Sequence, residues 1–478
     1  MRRFDLVLAV PVLLGPAALA FAKGGYFDVP RLVAGVVACA LVIVVAARDA
    51  RPIPRSAYVA VGGLAALTAW TGLSILWAPI AGAASDDFQR VLLYLFAFVA
   101  AIAVLRPPEV RRLVEPVLLA GIVAAALYGL SERLLPGVFS LENLPSADNR
   151  LAWPLTYWNA MGALAGMGLV LAAWIPSRAA IATAPLLGLA CYLTFSRGAL
   201  GATAAGLAVL VALAPTVAQA RRAAVAAGGA ALAALATVPL SAVEAPGGSA
   251  AQGAAMLAVL VALGTAAAWL AEPRGVPRLI VADRDLPGAP PRVASPDPAT
   301  PPARVVPHLR WAALGALALA LVVTAVAVTR VERTSGGGPA QGADPSRLVS
   351  AQSNRYEYWR VAASAFADHP LQGGGSGSFR TAWLRERTID ETVRDAHSLY
   401  FETAAELGLV GLLALAVFLF GIVSMARRSP EAAGAIGALA VYAVHAGLDW
   451  DWEMPALTLV ALTLAARLAT ADAPPDAS

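Results

Sequence analysis

Three side chains in this sequence have the chemistry of a site that binds phosphate and moves a proton. His397 is one of four histidines, and the imidazole group titrates near neutral pH, which suits it to accept a proton from a hydroxyl group. Arg197 and Arg355 each carry a planar guanidinium that matches the oxygens of a phosphate. Arg197 lies at the end of an apolar run, where a charge is costly unless it has a partner or water.

Each of these residues also has a purely structural interpretation. Arg197 could mark a helix end by extending to the membrane interface. Arg355 could be a solvated charge in a loop, and His397 could cap the helix that follows it. Residue type and spacing leave these alternatives open.

Four further charged residues are candidates for a supporting role. Asp395 could orient the histidine, although two residues this close on a helix would not face each other. Arg360 is a weaker candidate, because it lies off the helix face that carries the other arginine. Glu406 is expected to be a helix-start residue rather than an acid catalyst. Asp449 belongs to an acidic cluster at residues 449–453 and is a further candidate.

The glycine-rich run at residues 373–377 has two interpretations. Its backbone N–H groups, with Gly373 and Gly375 in the motif positions, could hold a phosphate, or the run could be a flexible turn. The histidines are scattered and no clustered carboxylate pattern is present, so the sequence predicts no metal site. No nucleotide-binding motif follows a strand, and we expect neither a cofactor nor a nucleic-acid partner.

The composition indicates that these residues belong to a membrane protein. Hydrophobic residues make up 59% of the 478 residues and charged residues 14%, against about 25% charged in a typical soluble domain. The apolar runs are close to the roughly 20 residues that a helix needs to cross a bilayer, and lipid favours helices because the backbone must satisfy its own hydrogen bonds. We predict an all-α integral membrane protein with about 14 (12–14) transmembrane helices and one large extracytoplasmic loop that contains short helices. The predicted spans are residues 5–22, 32–47, 57–80, 88–105, 112–130, 158–175, 179–196, 199–215, 223–241, 251–271, 309–330, 405–426, 431–448 and 454–470.

The charges at the ends of these spans predict their direction. Arginine recurs in alternate short loops and acidic residues in the others, with Lys23 and Arg31 as exceptions. Arginine-rich loops are expected on the cytoplasmic side, which places the N-terminus inside. The predicted organisation is ten spans in residues 1–271, a Pro- and Arg-rich cytoplasmic linker at 272–308, a span at 309–330, an extracytoplasmic loop with the candidate site at 331–403, further spans at 404–470 and a cytoplasmic tail at 471–478.

The order of short motifs along the chain resembles the O-antigen ligase family. The family has an arginine-rich helix, a P-x-x-G-x-G turn, an H-N/S-x-Y/F segment and an E-x-G helix start, which residues 353–360 (SNRYEYWR), 370–375 (PLQGGG), 397–400 (HSLY) and 406–408 (ELG) resemble. Upstream, residues 196–198 (SRG) resemble an S-R-G at the outer end of a helix. The stretch from Arg150 to Asn159 resembles an R-x-x-x-P-x-x-x-x-N motif. The resemblance covers roughly residues 145–425.

This resemblance implies a glycan transferase in the cytoplasmic (inner) membrane with its active loop outside. Members of the family transfer a glycan from a polyprenyl-diphosphate carrier to a glycan, lipid or protein acceptor. By this resemblance, Arg197 and Arg355 hold the donor diphosphate and His397 activates the acceptor hydroxyl, in an inverting transfer without metal or nucleotide. Ser398 stands where many relatives have Asn, so a role that requires an amide there is not available to this chain.

Other functions share some of these features. A polysaccharide repeat-unit polymerase or a protein O-oligosaccharyltransferase of the same family differs from a ligase in its acceptor, which the sequence does not identify. A membrane transporter is the alternative of another class. Ion-coupled transporters usually keep charged residues within their spans, whereas the span centres here are nearly free of them, which favours an enzyme.

Overall fold

The computed structural model describes residues 3–48, 52–271, 308–311 and 353–470, and this part of the chain is helical. No β-strand occurs within these residues, so the predicted all-α class is confirmed for them. The helices are α1 (Arg3–Phe21), α2 (Asp28–Arg48), α3 (Tyr58–Ser74), α4 (Ala81–Val104), α5 (Pro108–Arg111), α6 (Val114–Leu134), α7 (Trp158–Trp174), α8 (Arg178–Ala182), α9 (Ala184–Leu193), α10 (Arg197–Leu213), α11 (Val217–Leu235), α12 (Ala250–Leu270), α13 (Arg355–Asp368), α14 (Phe379–Glu386), α15 (Leu399–Arg428), α16 (Ala433–Ala446) and α17 (Pro455–Ala469).

The predicted spans agree with these helices wherever the chain is described. Each one overlaps a helix, or the pair α8 and α9 for residues 179–196. The span at 309–330 lies outside the described residues beyond 311, as do most of the 272–308 linker, residues 331–352 of the predicted loop and the tail at 471–478. Among the described residues, six helices are long and apolar enough to cross a membrane, and five shorter apolar helices accompany them. The count of fourteen spans stays a prediction.

Two helices form the centre of the bundle. Every residue of α7 from Asn159 to Ala173 is buried, and α17 is buried along almost its whole length. Helices that are apolar all round are expected in such central positions. Around them, α7 packs against α9, α10 and α16, while α17 packs against α1 and α4. Outer helices such as α2 expose apolar side chains, including Val29, Val33 and Val36, as expected for a surface that faces lipid.

Small residues allow the closest helix pair, α3 and α15, to approach at backbone distance. A Cβ atom added at Gly63 would lie 2.3 Å from the backbone nitrogen of Phe418. One added at Gly421 would lie 2.3 Å from the backbone nitrogen of Ala60. Close approach through small residues is the usual way in which membrane helices associate, and here it fixes α15, which follows the candidate histidine.

The connecting segments gather at two opposite ends of the bundle. One end collects the loops predicted to be extracytoplasmic, which line a common cavity with residues 26–27, 145–146, 148, 150, 156–159, 195–197, 353–355, 358, 391–395, 397, 450 and 454. At the other end of α17, Arg106 donates a hydrogen bond to the carbonyl of Pro52 and Ser429 donates one to the carbonyl of Leu468. This grouping is what the alternation of charged loops requires. Which end faces the cytoplasm stays a prediction.

Candidate active site

A cavity of about 940 Å³ lies at the end of the bundle where the predicted outer loops meet. Its volume is near the upper end of the ~300–1,000 Å³ typical of small-molecule sites. Helix starts and loops that are distant in sequence contribute its walls. Six of the candidate residues line it together: Arg150, Asn159, Arg197, Arg355, Asp395 and His397.

His397 lies in the wall of this cavity, one residue before the N-cap of α15. Its backbone φ is +51°, a conformation that costs a non-glycine residue about 1–3 kcal/mol. Its Nδ1 lies 3.0 Å from Oδ1 of Asp449. Because an ionised carboxylate can only accept hydrogen bonds, Nδ1 carries the proton and donates it, and Nε2 on the opposite edge of the ring is left as an acceptor. Ser398 caps α15 by accepting a hydrogen bond from the N–H of Phe401.

Asp449 is the centre of a hydrogen-bond network behind the cavity wall. It is fully buried, it pairs with Arg355, and it accepts from the hydroxyl of Tyr157 at 2.6 Å and the N–H of Trp450 at 3.0 Å. Burial alone would raise the pKa of this carboxyl. The Arg355 guanidinium and the hydrogen bond from His397 outweigh burial and hold the pKa well below its usual range. Asp449 is therefore an anion that can stabilise a protonated His397.

The two arginines predicted to bind phosphate enter the cavity wall from the first turns of two helices. Arg355 begins α13, and its side chain is 24% exposed beside Asp449. Burial would lower the pKa of Arg355, but the Asp449 carboxylate outweighs this and raises it. A guanidinium has five N–H donors, so one ion pair does not exhaust its capacity to bind an anion. Arg197 begins α10 directly after Ser196, whose hydroxyl accepts a hydrogen bond from the N–H of Ala199 at 3.2 Å.

The segment from Arg150 to Asn159 forms the adjacent wall and connects it to the histidine. The Arg150 guanidinium lies 3.6 Å from the ring centroid of Trp158, and its Nε–H donates to the carbonyl of Ala147 at 2.7 Å. The Asn159 amide donates to the hydroxyl of Tyr157 at 2.8 Å, and this hydroxyl donates in turn to the buried carboxylate that holds the histidine. The motif at residues 150–159 thus reaches the candidate base through one tyrosine.

Asp395 lines the cavity, but the structure assigns it a different position from the one considered in the sequence. The partner of His397 Nδ1 is Asp449, so Asp395 is not the carboxylate that holds this ring nitrogen. The physical reason is that Asp395 and His397 lie in an irregular loop before α15, and a loop distant in sequence supplies the carboxylate that bonds to Nδ1. Burial raises the pKa of Asp395, with Arg90 and His397 opposing that effect.

Arg360 lies outside the cavity. Its side chain is 48% exposed and pairs with Glu357 at 2.8 Å, one turn earlier on α13. It also donates to the carbonyl of Glu386 at 2.7 Å. The hydrogen bond from Arg360 lowers the pKa of Glu357 to about 2. Arg360 therefore does not contribute to the cavity lining, because its position on the helix turns it away from Arg355.

The glycine-rich turn at residues 373–377 does not offer its N–H groups to a phosphate. The N–H of Gly373 bonds to the carbonyl of His369, and the N–H of Gly375 bonds to the carbonyl of Glu406, both at 2.9 Å. The turn does not contribute to the lining of the large cavity. The hypothesis of a phosphate cradle is therefore wrong, and the turn instead docks the loop onto α15.

Glu406 and Gly408 explain how this docking is made. The buried Glu406 carboxylate accepts hydrogen bonds from the N–H groups of Gly377 at 2.9 Å and Phe379 at 3.0 Å. Gly408 interrupts α15 with a φ of +62°, and a Cβ there would lie 2.5 Å from the carbonyl oxygen of Leu371. The E-x-G and P-x-x-G-x-G motifs are thus joined by hydrogen bonds and by close backbone packing. Glu406 lies in the second turn of α15 rather than at its first residue.

Several cavity residues were not among the candidates from the sequence, including Tyr358, Arg394 and Trp450. The ring centroid of Tyr358 lies 5.1 Å from that of His397, which restricts the orientation of the imidazole. A signal for Tyr358 existed, because it follows Arg355 by three residues and so shares its helix face. Trp450 could have been found only through its neighbour in the acidic cluster.

The comparisons with known proteins agree with the motif assignment. Residues 248–416 match the family model described as O-antigen ligase. The match includes Arg355, the glycine-rich turn and His397, whereas Arg197 and Asp449 lie outside it. A search of curated proteins finds no match. The apolar helices make this chain a multi-pass membrane protein, and the match over residues 248–416 confirms the resemblance to the O-antigen ligase family.

Proposed function

We propose that this protein transfers a glycan from a polyprenyl-diphosphate carrier to an acceptor hydroxyl at the outer face of the cytoplasmic membrane. The observation that carries the proposal is the His397–Asp449–Arg355 network in the wall of a large cavity that Arg197 and Arg150 also line. A hydroxyl that displaces a diphosphate from a sugar needs a proton acceptor and positive groups that stabilise the leaving group, and both surround this one cavity.

The proton is handled by His397. In the proposed step, the acceptor hydroxyl gives its proton to Nε2 while its oxygen forms a bond to the anomeric carbon of the donor sugar. Asp449, 3.0 Å from Nδ1, keeps the ring in the correct tautomer and stabilises the imidazolium that forms. The single displacement inverts the configuration at the anomeric carbon.

The leaving group is handled by the arginines. The bond between the anomeric carbon and the diphosphate oxygen breaks, and the electron pair leaves with the polyprenyl diphosphate. Arg197 and Arg355 stabilise the charge that develops there, because charge-assisted N–H donors in a partly buried site cost no reorganisation when the charge appears. Stabilisation by guanidinium groups supports a transfer that needs neither metal nor cofactor.

The side of the membrane on which this occurs has a direct test. Cysteine introduced at Asp390, which is fully exposed beside the cavity, is expected to react with an impermeant reagent on intact cells. Cysteine at Glu431, exposed at the opposite end of the bundle, is the matched control and is expected to react only after lysis. Both variants are made without Cys39 and Cys191. The reverse labelling pattern would overturn the proposed orientation.

The function itself is tested by comparing wild type with a deletion strain. We expect the deletion strain to lose a surface glycan and to accumulate its lipid-linked precursor, and wild-type protein but not His397→Ala to restore the glycan. A shortened polymer, a lipid without its glycan or an unglycosylated protein would distinguish polymerase, ligase and protein glycosyltransferase. Accumulation of the precursor on the cytoplasmic face of the membrane would instead indicate the transporter alternative.

A further inference from the structure

A second cavity lies next to the candidate active site. Its volume is about 290 Å³, near the lower end of the ~300–1,000 Å³ typical of small-molecule sites. The end of α6, the segment at residues 141–153 and Pro246 form its walls. Arg150 lines both cavities, so a short wall at residues 145–150 separates two adjoining spaces.

The backbone of this wall turns consecutive residues towards different cavities. Asp148 and Asn149 have φ values of +46° and +62°, a conformation that Asp and Asn tolerate better than most residues. Asp148 lines the large cavity and Asn149 lines the second one. Behind the wall, the buried Arg133 guanidinium donates to the carbonyls of Asn149 at 2.5 Å and Val243 at 3.2 Å. The wall is therefore fixed from the protein side.

The lining of the second cavity combines an aromatic ring with hydrogen-bonding groups. Glu132 and Glu142 supply carboxylates, the second of which pairs with Lys23 at 3.6 Å, Asn143 supplies an amide, and Trp153 supplies an indole. The indole N–H donates to the carbonyl of Glu142 at 2.8 Å, so one edge of the ring is held in place. The guanidinium of Arg133 is already bonded to backbone carbonyls.

This chemistry excludes two of the possible ligands and favours a third. The two carboxylates balance Arg133 and Arg150 in the lining, and both guanidiniums already donate to backbone carbonyls, so no excess of positive charge favours a phosphate. Desolvating these polar groups disfavours a polyprenyl tail. A sugar ring has hydroxyl groups that donate to carboxylate and amide oxygens, and it has an apolar C–H face that can pack on an indole. A pyranose ring therefore fits both parts of the lining.

We propose that the second cavity is a glycan subsite that binds a sugar residue of the oligosaccharide carried by the donor or by the acceptor. This proposal rests on the proposed function. The Glu132 carboxylate accepts hydrogen bonds from the sugar hydroxyls, and the Asn143 amide donates to them and accepts from them. The apolar face of the sugar ring packs on Trp153. The subsite gives the enzyme a preference for an oligosaccharide over a single sugar, because the additional residue reaches past Arg150 into the second space.

The first test measures transfer by the purified full-length protein. Donors with one sugar and with a complete oligosaccharide are compared against one acceptor, and truncated and complete acceptors against one donor. Glu132→Gln and Asn143→Ala are expected to reduce the preference for the longer substrate roughly tenfold, through KM, since each removes about one hydrogen bond. The arm in which the preference falls identifies the donor or the acceptor as the source. Glu431→Gln, at the opposite end, is the matched control.

The second test does not depend on transfer. The oligosaccharide released by mild acid from the host's own lipid-linked glycans is titrated against the protein and its binding is followed by saturation-transfer NMR. Wild type and His397→Ala are expected to bind it, and Glu132→Gln and Asn143→Ala to bind it roughly tenfold more weakly. Equal binding by all variants, or none by wild type, overturns the subsite. Binding without any transfer activity keeps the subsite and overturns the proposed function.

Discussion

Asp449 does not line the cavity, and it would act on the reaction through the residues that it holds, His397 and Arg355. Asp449→Asn keeps the shape of the side chain and removes its charge. At 3.0 Å and an effective dielectric constant of about 20, an imidazolium and a carboxylate attract each other by about 5–6 kcal/mol. Loss of this attraction in the transition state corresponds to as much as ~10⁴ in rate. We therefore expect kcat to fall by about 10²–10⁴ through the loss of this attraction, while any change in the KM for the donor reports the effect on Arg355.

The assay is transfer by purified protein, accompanied by thermal unfolding. The unfolding control is necessary because Asp449→Asn leaves Arg355 without its counter-ion, which can cost about 3–5 kcal/mol when the partner is buried. Asp390→Asn removes a fully exposed carboxylate from the loop that precedes His397, and it is expected to change neither rate nor stability.

A double substitution separates action through the histidine from a direct role. His397→Gln alone is expected to lower kcat by about 10²–10⁴. If Asp449 works through His397, then Asp449→Asn adds little to His397→Gln, because residues that act as a unit are not additive. A folded Asp449→Asn protein with wild-type kcat, or effects that multiply in the double variant, would refute this reasoning.

Four further outcomes are expected. Arg197→Ala and Arg355→Ala should each reduce transfer roughly tenfold to more than a hundredfold while the amount of protein stays normal, and the corresponding Lys variants should restore part of the activity. Arg360→Ala, measured in the same assay, should transfer like wild type. Gly408→Ala should lower the thermal midpoint and the yield, since strain at its φ of +62° costs about 1–3 kcal/mol before any steric overlap. Asp395→Asn should raise the thermal midpoint at neutral pH. Burial raises the pKa of Asp395 in the folded state, so ionisation of this carboxyl above its unfolded-state pKa opposes folding. In acid the carboxyl is protonated in both states, and the difference between the two proteins should vanish. Transfer should persist in EDTA, and loss of activity that added divalent cation restores would contradict the arginine-based mechanism.

The described helices and the candidates for the site could be derived from the sequence because both depend on local chemistry. A run of apolar residues in lipid has to form a helix whatever surrounds it, so the described spans agree with the predicted ones. Arginine and histidine stand out in an apolar chain by their residue type alone. The number of membrane spans does not follow from the sequence in the same way, because several of the described apolar helices are shorter than a complete span.

The tertiary structure decided which of these residues act together. The choice of Asp449 over Asp395 as partner of His397 depends on a loop more than fifty residues away, and no periodicity reports such a contact. The same holds for Glu406 and the glycine-rich turn, whose N–H groups are bonded to protein because α15 is interrupted at Gly408. The sequence determined which side chains can carry charge or a proton, since that is a property of each residue type. Only packing decided which of them share a cavity, because distance and burial are properties of the folded chain.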